Sequence, residues 1–256
     1  MTIAPLELTG ERTVPGVDLE QYWFRRHEVV YRWLAQRLTV AATGPGPSPG
    51  PLVDAGCGEG YGADLLAAAL TAEVIGLDYD AGTIAHVAAA YPRVWPVRGN
   101  LATFPLASAT VPAVVSLQVI EHLWDLGGFL AECRRVLVTG GAIAVSTPNR
   151  PVFSPGLARG AKPTNPFHVE EFDAEQVTGM LTHAGFCEVE VLGLHHGPRL
   201  QAWEADHGSL VTAHVTAVVS GAWPDHLLAL LPTITIEDFR IGAHDEAHDL
   251  IGVGRR

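Results

Sequence analysis

The chain has 256 residues, of which 48% are apolar, which suits an α/β domain with a packed core and excludes a disordered chain. A formal net charge of −12 argues against a nucleic acid backbone as the main partner. The three cysteines are isolated, and no secretory leader or apolar run of membrane-spanning length is found, so the sequence predicts a cytoplasmic protein without a membrane span.

Residues 1–42 are predicted to form an N-terminal cover, because apolar side chains recur at helical spacing over 18–38. Its aromatic residues either pack on the next domain, or the helix is a lid over the active site. In the lid interpretation, Arg12, Trp23, Arg26 or His27 contacts the substrate; the two interpretations are compatible. Residues 43–51 alternate proline with small residues, which is typical of a linker.

From residue 52 onward, strand and helix patterns alternate with short turns. Strands are predicted at 52–54, 73–77, 94–98, 111–117, 142–146 and 187–192, and helices at 61–70, 81–91, 126–137 and 174–184. This alternation predicts a Rossmann-like three-layer α/β sandwich over 52–256, with a mainly parallel seven-stranded sheet and one antiparallel edge strand. Further strands are expected at 233–239 and 249–254, after a late helical insertion at about 195–232.

A glycine-rich loop follows the first predicted strand. Asp54 ends that strand, Gly56, Gly58 and Gly60 follow, and a helix begins directly after them. A strand, a glycine turn and a helix in this order open a nucleotide-binding βαβ unit. Asp78 lies about 20 residues beyond the loop, the spacing at which a carboxylate accepts both ribose hydroxyls.

The charged residues of the loop help to identify the nucleotide that binds there. The glycine frame by itself also fits a nicotinamide dehydrogenase, and no Walker lysine is present. Asp54 and Glu59 would repel a pyrophosphate, whereas they suit a ligand that carries an ammonium and a sulfonium group. S-adenosylmethionine is such a ligand, and the sequence therefore favours it.

Five motifs in this order resemble the class I S-adenosylmethionine-dependent methyltransferases. They are the segments 53–60, 78–79, 99–101, 114–123 and 136–141, within a resemblance that covers about 50–192. The resemblance implies S-adenosylmethionine as cofactor, bound by Asp54, Gly56, Gly58, Gly60, Asp78, Tyr79, Asn100, Leu101 and Gln118.

Segments in both flanks extend the resemblance. Residues 8–15, 22–27, 118–125, 146–150, 165–168 and 196–200 look like the actinobacterial methyltransferase family associated with mycobacterial 6-O-methylglucose lipopolysaccharide. This resemblance implies a saccharide hydroxyl as the methyl acceptor. Arg199 would then contact a sugar or an acidic group. A homodimer is compatible with the sequence.

Methyl transfer to a hydroxyl requires the oxygen in line with the breaking C–S bond and a base that removes its proton. Gln118, Glu121 and His122 follow the fourth strand at a spacing that places them on one helical face, and His168 lies in a later loop. We expect His122 or His168 to act as base, with Glu121 orienting it.

Two alternatives for these four residues remain. They resemble the metal site of small-RNA 2′-O-methyltransferases, which implies a divalent metal such as Mg²⁺ held by Gln118, Glu121, His122 and His168. Gln118 replaces the first glutamate of that site, and a neutral amide binds a hard cation less well. The other alternative is a structural network that caps the strand.

Three other functions stay open at this stage. One is O-methylation of a small aromatic or quinone precursor, which the polar, histidine-rich segments disfavour. Another is a regulatory protein that binds the nucleotide without catalysis, for which Glu121, His122 and His168 would be unnecessary. The third is the nicotinamide dehydrogenase.

Overall fold

The computed structural model describes Leu6 and residues 13–41, 50–163 and 165–256. Arg12 and most of the predicted linker 43–51 lie outside the described residues. Within them, no helix is long and apolar enough to cross a bilayer.

The described chain contains eight strands that form a single sheet in the order β3-β2-β1-β4-β5-β8-β6-β7. The first five strands pair in parallel, while β8 runs antiparallel between β5 and β6, and β7 runs antiparallel to β6 at the edge. The strands are β1 (Leu52–Ala55), β2 (Val74–Asp78), β3 (Val94–Arg98), β4 (Val111–Leu117), β5 (Leu137–Pro148), β6 (Cys187–His196), β7 (Phe239–Gly242) and β8 (Asp249–Arg255).

The predicted fold class is confirmed, whereas two details of the sheet were wrong. The sheet has eight strands instead of seven, and it has two reversed strands instead of one, since β8 lies reversed inside the sheet in addition to β7 at the edge. Residues 236–238 form a 3-10 turn because Thr235 and Asp238 make a reciprocal capping box there. The strand predicted over 233–239 is therefore displaced to the short edge strand β7.

Helices cover both faces of the sheet. Asp80, Asp125 and Asp173 cap three of them by accepting the backbone N–H three residues further on. The helices are α1 (Gln21–Ala41), α2 (Tyr61–Leu70), α3 (Ala81–Ala90), α4 (Leu126–Val136), α5 (Arg150–Phe153), α6 (Ala174–His183), α7 (Pro198–His207), α8 (Leu210–Ser220) and α9 (Asp225–Leu230).

Alternate residues of the strands build two separate cores. Leu52 and Val74 face one core with α1, α2, α3 and α7–α9, and Val53 and Ile75 face the other with α4 and α6. The chain is thus a three-layer sandwich. The carboxyl ends of the parallel strands lie at one edge of the sheet, where α/β folds of this kind bind ligands.

Helix α1 packs closely on α2, and Gly62 permits this approach. A Cβ atom at Gly62 would lie 2.1 Å from Cζ of Tyr31, a separation that no real pair of atoms tolerates. The absence of a side chain at Gly62 therefore sets the position of Tyr31 over the first turn of α2.

We expect Gly62→Ala to destabilise the fold by about 1–3 kcal/mol, because the added methyl group overpacks the contact with Tyr31. The matched control is Gly179→Ala in α6, where a Cβ would meet no atom within 4 Å. That control should gain up to about 1 kcal/mol from the better helix propensity of alanine. Urea unfolding measures both, and a gain of stability in both variants would contradict the packing of α1 on α2.

Candidate active site

The glycines of the loop between β1 and α2 have different environments. Gly58 has a φ of +52°, and a Cβ there would meet no atom within 4 Å. By contrast, a Cβ on Gly56 would lie 2.6 Å from Val119, and one on Gly60 would lie 2.8 Å from Val87. Gly58 is therefore the point where the loop backbone is open to a ligand, while Gly56 and Gly60 permit close packing.

Asp54 lies fully buried at the end of β1, where the hydroxyl of Tyr31 donates to its two carboxylate oxygens at 3.1 and 3.2 Å. Burial raises the pKa of Asp54 to about 7; the hydrogen bond from Tyr31 opposes this rise and the nearby Asp78 adds to it. A bound cation would favour the ionised form, so the site suits a positively charged ligand. Sequence reasoning did not identify Tyr31 as a residue of the site, because only its place on the predicted helix pointed to a role.

Glu59 has hydrogen-bond partners inside the fold. Its carboxylate accepts a hydrogen bond from His86 at 2.8 Å and another from the hydroxyl of Tyr91. Both partners lie at α3, so Glu59 connects the loop to that helix. The predicted attraction of its charge for a cationic ligand stays a prediction.

Asp78 ends β2 with both carboxylate oxygens fixed by the backbone. Oδ2 accepts from the Gly58 amide at 3.1 Å and Oδ1 accepts from the Asp80 amide at 3.0 Å. Tyr79, the next residue, is 75% exposed at the same edge. This pair gives an oriented carboxylate beside an open aromatic ring, a combination suited to a ribose and its base.

Asn100 and Leu101 follow β3 at the same edge. The Asn100 side-chain oxygen accepts from the Ala102 amide at 2.8 Å, while Leu101 is buried. Their predicted contacts with the adenine stay a prediction.

Gln118 follows β4 with a φ of +55°, a conformation rare for a residue with a side chain. Its amide nitrogen donates to Ser146 at 3.2 Å and to Asp249 at 3.3 Å. The amide thus bonds to residues of β5 and β8. Local backbone strain of this kind often accompanies a functional site.

Arg26 is 2% exposed and donates through two guanidinium nitrogens to the carboxylate of Asp249. Its guanidinium also lies 5.0 Å from the ring centroid of Trp23 and 4.7 Å from that of Phe153. Although Arg26 was predicted to contact substrate, these contacts support a structural role that joins α1 to β8.

The other predicted substrate contacts also have partners inside the fold. The indole N–H of Trp23 donates to His214 at 3.1 Å, and Nδ1 of His27 lies 2.8 Å from the Tyr61 hydroxyl. Burial and the charge of Arg26 lower the pKa of His27 to about 3. Arg199 forms a two-point ion pair with Asp238. Contacts of these residues with a substrate stay predictions.

Three of the residues predicted to carry the chemistry come together. Glu121 and His122 lie on the 3-10 turn Ile120–His122 after β4, and His168 lies on the segment between α5 and α6. One ligating atom of each falls within 4.8 Å of the others, and the two imidazole centroids are 5.0 Å apart. The backbone amide of Val169 donates to the Glu121 carbonyl at 2.7 Å, which ties the segment to the turn.

Hydrogen bonds fix the orientation of both imidazoles. Nδ1 of His122 lies 3.0 Å from the carbonyl of Phe167, which can only accept, so the neutral ring carries its lone pair on Nε2. His168 is held on both sides, by Glu171 at 2.9 Å and by Asn165 at 3.0 Å. Burial by itself would raise the pKa of Glu171, but the hydrogen bond from His168 and further polar contacts lower it. Glu171 therefore serves as the anionic partner of His168.

Glu121 is 1% exposed, and its Oε2 atom has no hydrogen-bond partner among the described residues. Burial raises its pKa to about 7, although the charge of His168 and the nearby hydroxyl of Thr147, which itself lacks a hydrogen bond of regular geometry, oppose the rise. A buried carboxylate oxygen without a donor is costly and suits a site that awaits a polar or cationic group.

Comparison with known proteins agrees with this geometry. A family model described as a methyltransferase domain matches residues 53–145, which include the glycine loop, Asp78 and the turn of Glu121. A Thermotoga maritima S-adenosylmethionine-dependent methyltransferase shares the fold at a TM-score of 0.56 and 19% identity, over 92% of this chain and 93% of that one. One from Archaeoglobus fulgidus does so at 0.54 and 17%, over 92% and 99%.

Sequence relatives define the family more closely. A "probable S-adenosylmethionine-dependent methyltransferase" of Mycobacterium tuberculosis is 47% identical over 99% of this chain and 90% of its own length. A protein of Mycolicibacterium smegmatis with the same description is 47% identical over 98% and 95%. The chain belongs to this family of S-adenosylmethionine-dependent methyltransferases. The predicted cofactor is therefore confirmed at the level of the family.

We expect Tyr31→Phe to weaken binding of S-adenosylhomocysteine at pH 7 by about 5- to 30-fold, since the loss of one hydrogen bond to a buried carboxylate costs about 1–2 kcal/mol. Without Tyr31 the pKa of Asp54 rises further above about 7, so the defect should shrink at pH 9. Calorimetric titration measures both. Tyr22→Phe, on the same helix but bonded to His196, is the control and should bind normally. Equal affinity of Tyr31→Phe and wild type from pH 6 to 9 would contradict the role of Asp54.

We expect Glu121→Gln to raise the free energy of unfolding at pH 8, by up to about 3 kcal/mol. The folded-state pKa of about 7 lies above the unfolded value, so the ionised form penalises the fold. This cost is absent below about pH 4, where Glu121 is protonated in both states, grows as the pH rises and is complete above about pH 7. Urea unfolding at pH 4 and pH 8 measures it. The control is Glu73→Gln, a change at an exposed glutamate. A Glu121→Gln variant that is less stable than wild type at pH 8 would refute the raised pKa of Glu121.

Proposed function

We propose that this methyltransferase acts on a hydroxyl oxygen and that the acceptor is a saccharide. The cofactor supplies a methyl group on a sulfonium sulfur. The observation that carries the proposal is the cluster of Glu121, His122 and His168, whose turn begins directly after Val119, the residue that packs against Gly56 of the glycine loop. A hydroxyl is a poor nucleophile until a base removes its proton, so a positioned imidazole suits O-methylation.

His122 is the proposed base. Its bond to the Phe167 carbonyl directs the lone pair of the neutral ring to Nε2, the atom that would take the hydroxyl proton. A positioned base of this kind contributes about 10²- to 10⁴-fold to the rate.

His168 and Glu121 are proposed to position His122 and the acceptor. His168 is held by Glu171 and Asn165, so its ring has a fixed place next to His122. The Oε2 atom of Glu121, buried without a partner in the described chain, would accept a hydrogen bond from the incoming hydroxyl.

A bound divalent metal is the second candidate, which the same oxygen atom favours. One carboxylate and two imidazoles within 4.8 Å form a donor set that fits Zn²⁺ or Mn²⁺. However, both ring nitrogens of His168 already have partners, and the Gln118 amide bonds to Ser146 and Asp249. These bonds favour direct proton removal by His122.

The flanking segments that resemble the sugar-methylating family support a saccharide acceptor. On this basis we propose a role in polymethylated polysaccharide biosynthesis. The runner-up is a small aromatic or quinone precursor. A ubiquinone biosynthesis O-methyltransferase of Dinoroseobacter shibae is 26% identical over 77% of this chain and 84% of its own length, a more distant likeness than that of the mycobacterial proteins.

The N-terminal helix and the late insertion pack on the same face of the sheet but have separate proposed tasks. Helix α1 would cover the cofactor side, which the bond from Tyr31 to Asp54 supports. The helices α7, α8 and α9 would wall the acceptor side, and the bond from Trp23 to His214 joins them to α1. In this division, residues 1–42 form the cover and the insertion of about 195–232 forms the wall.

We expect His122→Ala to lower kcat by about 10²- to 10⁴-fold, with cofactor affinity near that of wild type, because the base acts on the acceptor. His168→Ala should lose most of kcat through disorder of the His122 ring. The matched control is exposed His183→Ala in α6. Methyl transfer to a panel of glucose and mannose oligosaccharides and to a catechol provides the readout.

The outcomes separate the candidates. Full turnover in both histidine variants would overturn the assigned chemistry, and transfer to the catechol with no transfer to any saccharide would overturn the acceptor. Loss of activity upon exhaustive chelation, restored by one metal that elemental analysis also finds, would establish the metal alternative over the direct base.

A further inference from the structure

Trp124 is 91% exposed although the chain on both sides of it is anchored. Leu123 packs against the core on the α4 side of the sheet, and Asp125 caps α4 by accepting from the Gly128 amide at 2.8 Å. The indole is therefore displayed by a fixed turn. A large aromatic side chain held away from the core in this way gives up substantial burial, which marks it as a candidate contact surface.

Phe167 is a second exposed aromatic residue beside the same histidine. Its side chain is 53% exposed, while its backbone is fixed on both sides. The amide of Phe167 donates to Oδ1 of Asn165 at 3.0 Å, and its carbonyl accepts from Nδ1 of His122 at 3.0 Å. Phe167 is thus held next to the proposed base.

The two aromatic residues are connected to His122 in different ways. Trp124 follows His122 by two residues in the chain, and Phe167 is hydrogen-bonded to it from the segment between α5 and α6. Both exposed rings are therefore carried by chain segments that are directly connected to His122. We call Trp124 and Phe167 the aromatic rim.

We propose that the aromatic rim binds an extended saccharide chain and sets its terminal hydroxyl at His122; this rests on the proposed function. A pyranose ring presents an apolar C–H face and directs its hydroxyls sideways, so a ring that lies on Trp124 keeps its hydroxyls available to polar groups.

The openness of the rim indicates an oligomeric acceptor. Small ligands bind in concave sites that bury about 70–90% of their surface. A tryptophan that is 91% exposed does not line such a site, but it suits successive units of a chain that crosses an open edge. Each unit stacked on an aromatic residue adds affinity without any enclosure. The inferred acceptor is therefore an oligosaccharide instead of a free monosaccharide or a small aromatic molecule.

We expect Trp124→Ala to raise the KM for an oligosaccharide acceptor by at least about tenfold, with kcat at saturation and cofactor affinity close to wild type. The increase should become larger with acceptor length and be small for a monosaccharide. Phe167→Ala should act in the same direction, and Trp124→Phe should restore most of the affinity. The matched control is Trp95→Ala on β3, a 48% exposed tryptophan away from His122. Melting temperatures of all variants identify any loss of folding.

Each result has a distinct meaning. Unchanged KM in Trp124→Ala at every acceptor length, with turnover still abolished in His122→Ala, overturns the rim and leaves the proposed function standing. A lowered kcat with unchanged KM also overturns the rim, since it indicates a positioning role. Failure of the wild type to methylate any saccharide overturns the proposed function itself. Binding of the wild type to phosphatidylcholine and phosphatidylglycerol vesicles, lost in Trp124→Ala while the saccharide KM stays unchanged, assigns Trp124 to a membrane surface and overturns the rim.

Discussion

Three of the carboxyl groups at the carboxyl edge of the sheet are almost completely buried, and the cost of burying them constrains the surrounding structure. Asp54, Glu121 and Asp249 are each at most 1% exposed, and an ionised carboxylate without partners would cost several kcal/mol there. Tyr31 donates to Asp54 and Arg26 donates to Asp249. Both donors belong to α1, so the N-terminal helix is attached to the sheet through the groups that stabilise its buried charges.

The third carboxyl group has a different environment. Glu121 keeps one oxygen without a hydrogen-bond partner in the described chain, and its raised pKa reflects that environment. Gln118, three residues earlier, adopts an unfavourable positive φ. Unfavourable features of this kind are retained where function depends on them, and here two of them occur within one short segment after β4. The features that suit the segment after β4 for chemistry therefore also lower the stability of the fold.

The sequence predicted what local patterns encode. Short apolar segments that alternate with helix patterns indicated the strands, and the glycine loop with Asp78 indicated the cofactor site, because both depend on neighbours in the chain. Strand pairing is a non-local property, so the interior place of β8 was not visible in the sequence. The same limit applies to Glu59: its partners His86 and Tyr91 lie 27 and 32 residues away, and its position in the loop suggested a ligand contact that its hydrogen bonds do not support.

The proposed site consists of two halves that follow different physical rules. On the cofactor half, Tyr31 packs on Gly62 and covers Asp54, and the burial of this carboxylate strengthens its attraction for a cationic ligand. On the acceptor half, Trp124 and Phe167 are exposed at the surface. A buried carboxylate suits a small cationic ligand, whereas exposed aromatic rings suit a chain of variable length. Both halves of the proposed site lie at one edge of the sheet, because Asp54 is near the end of β1 and Glu121 and His122 follow β4.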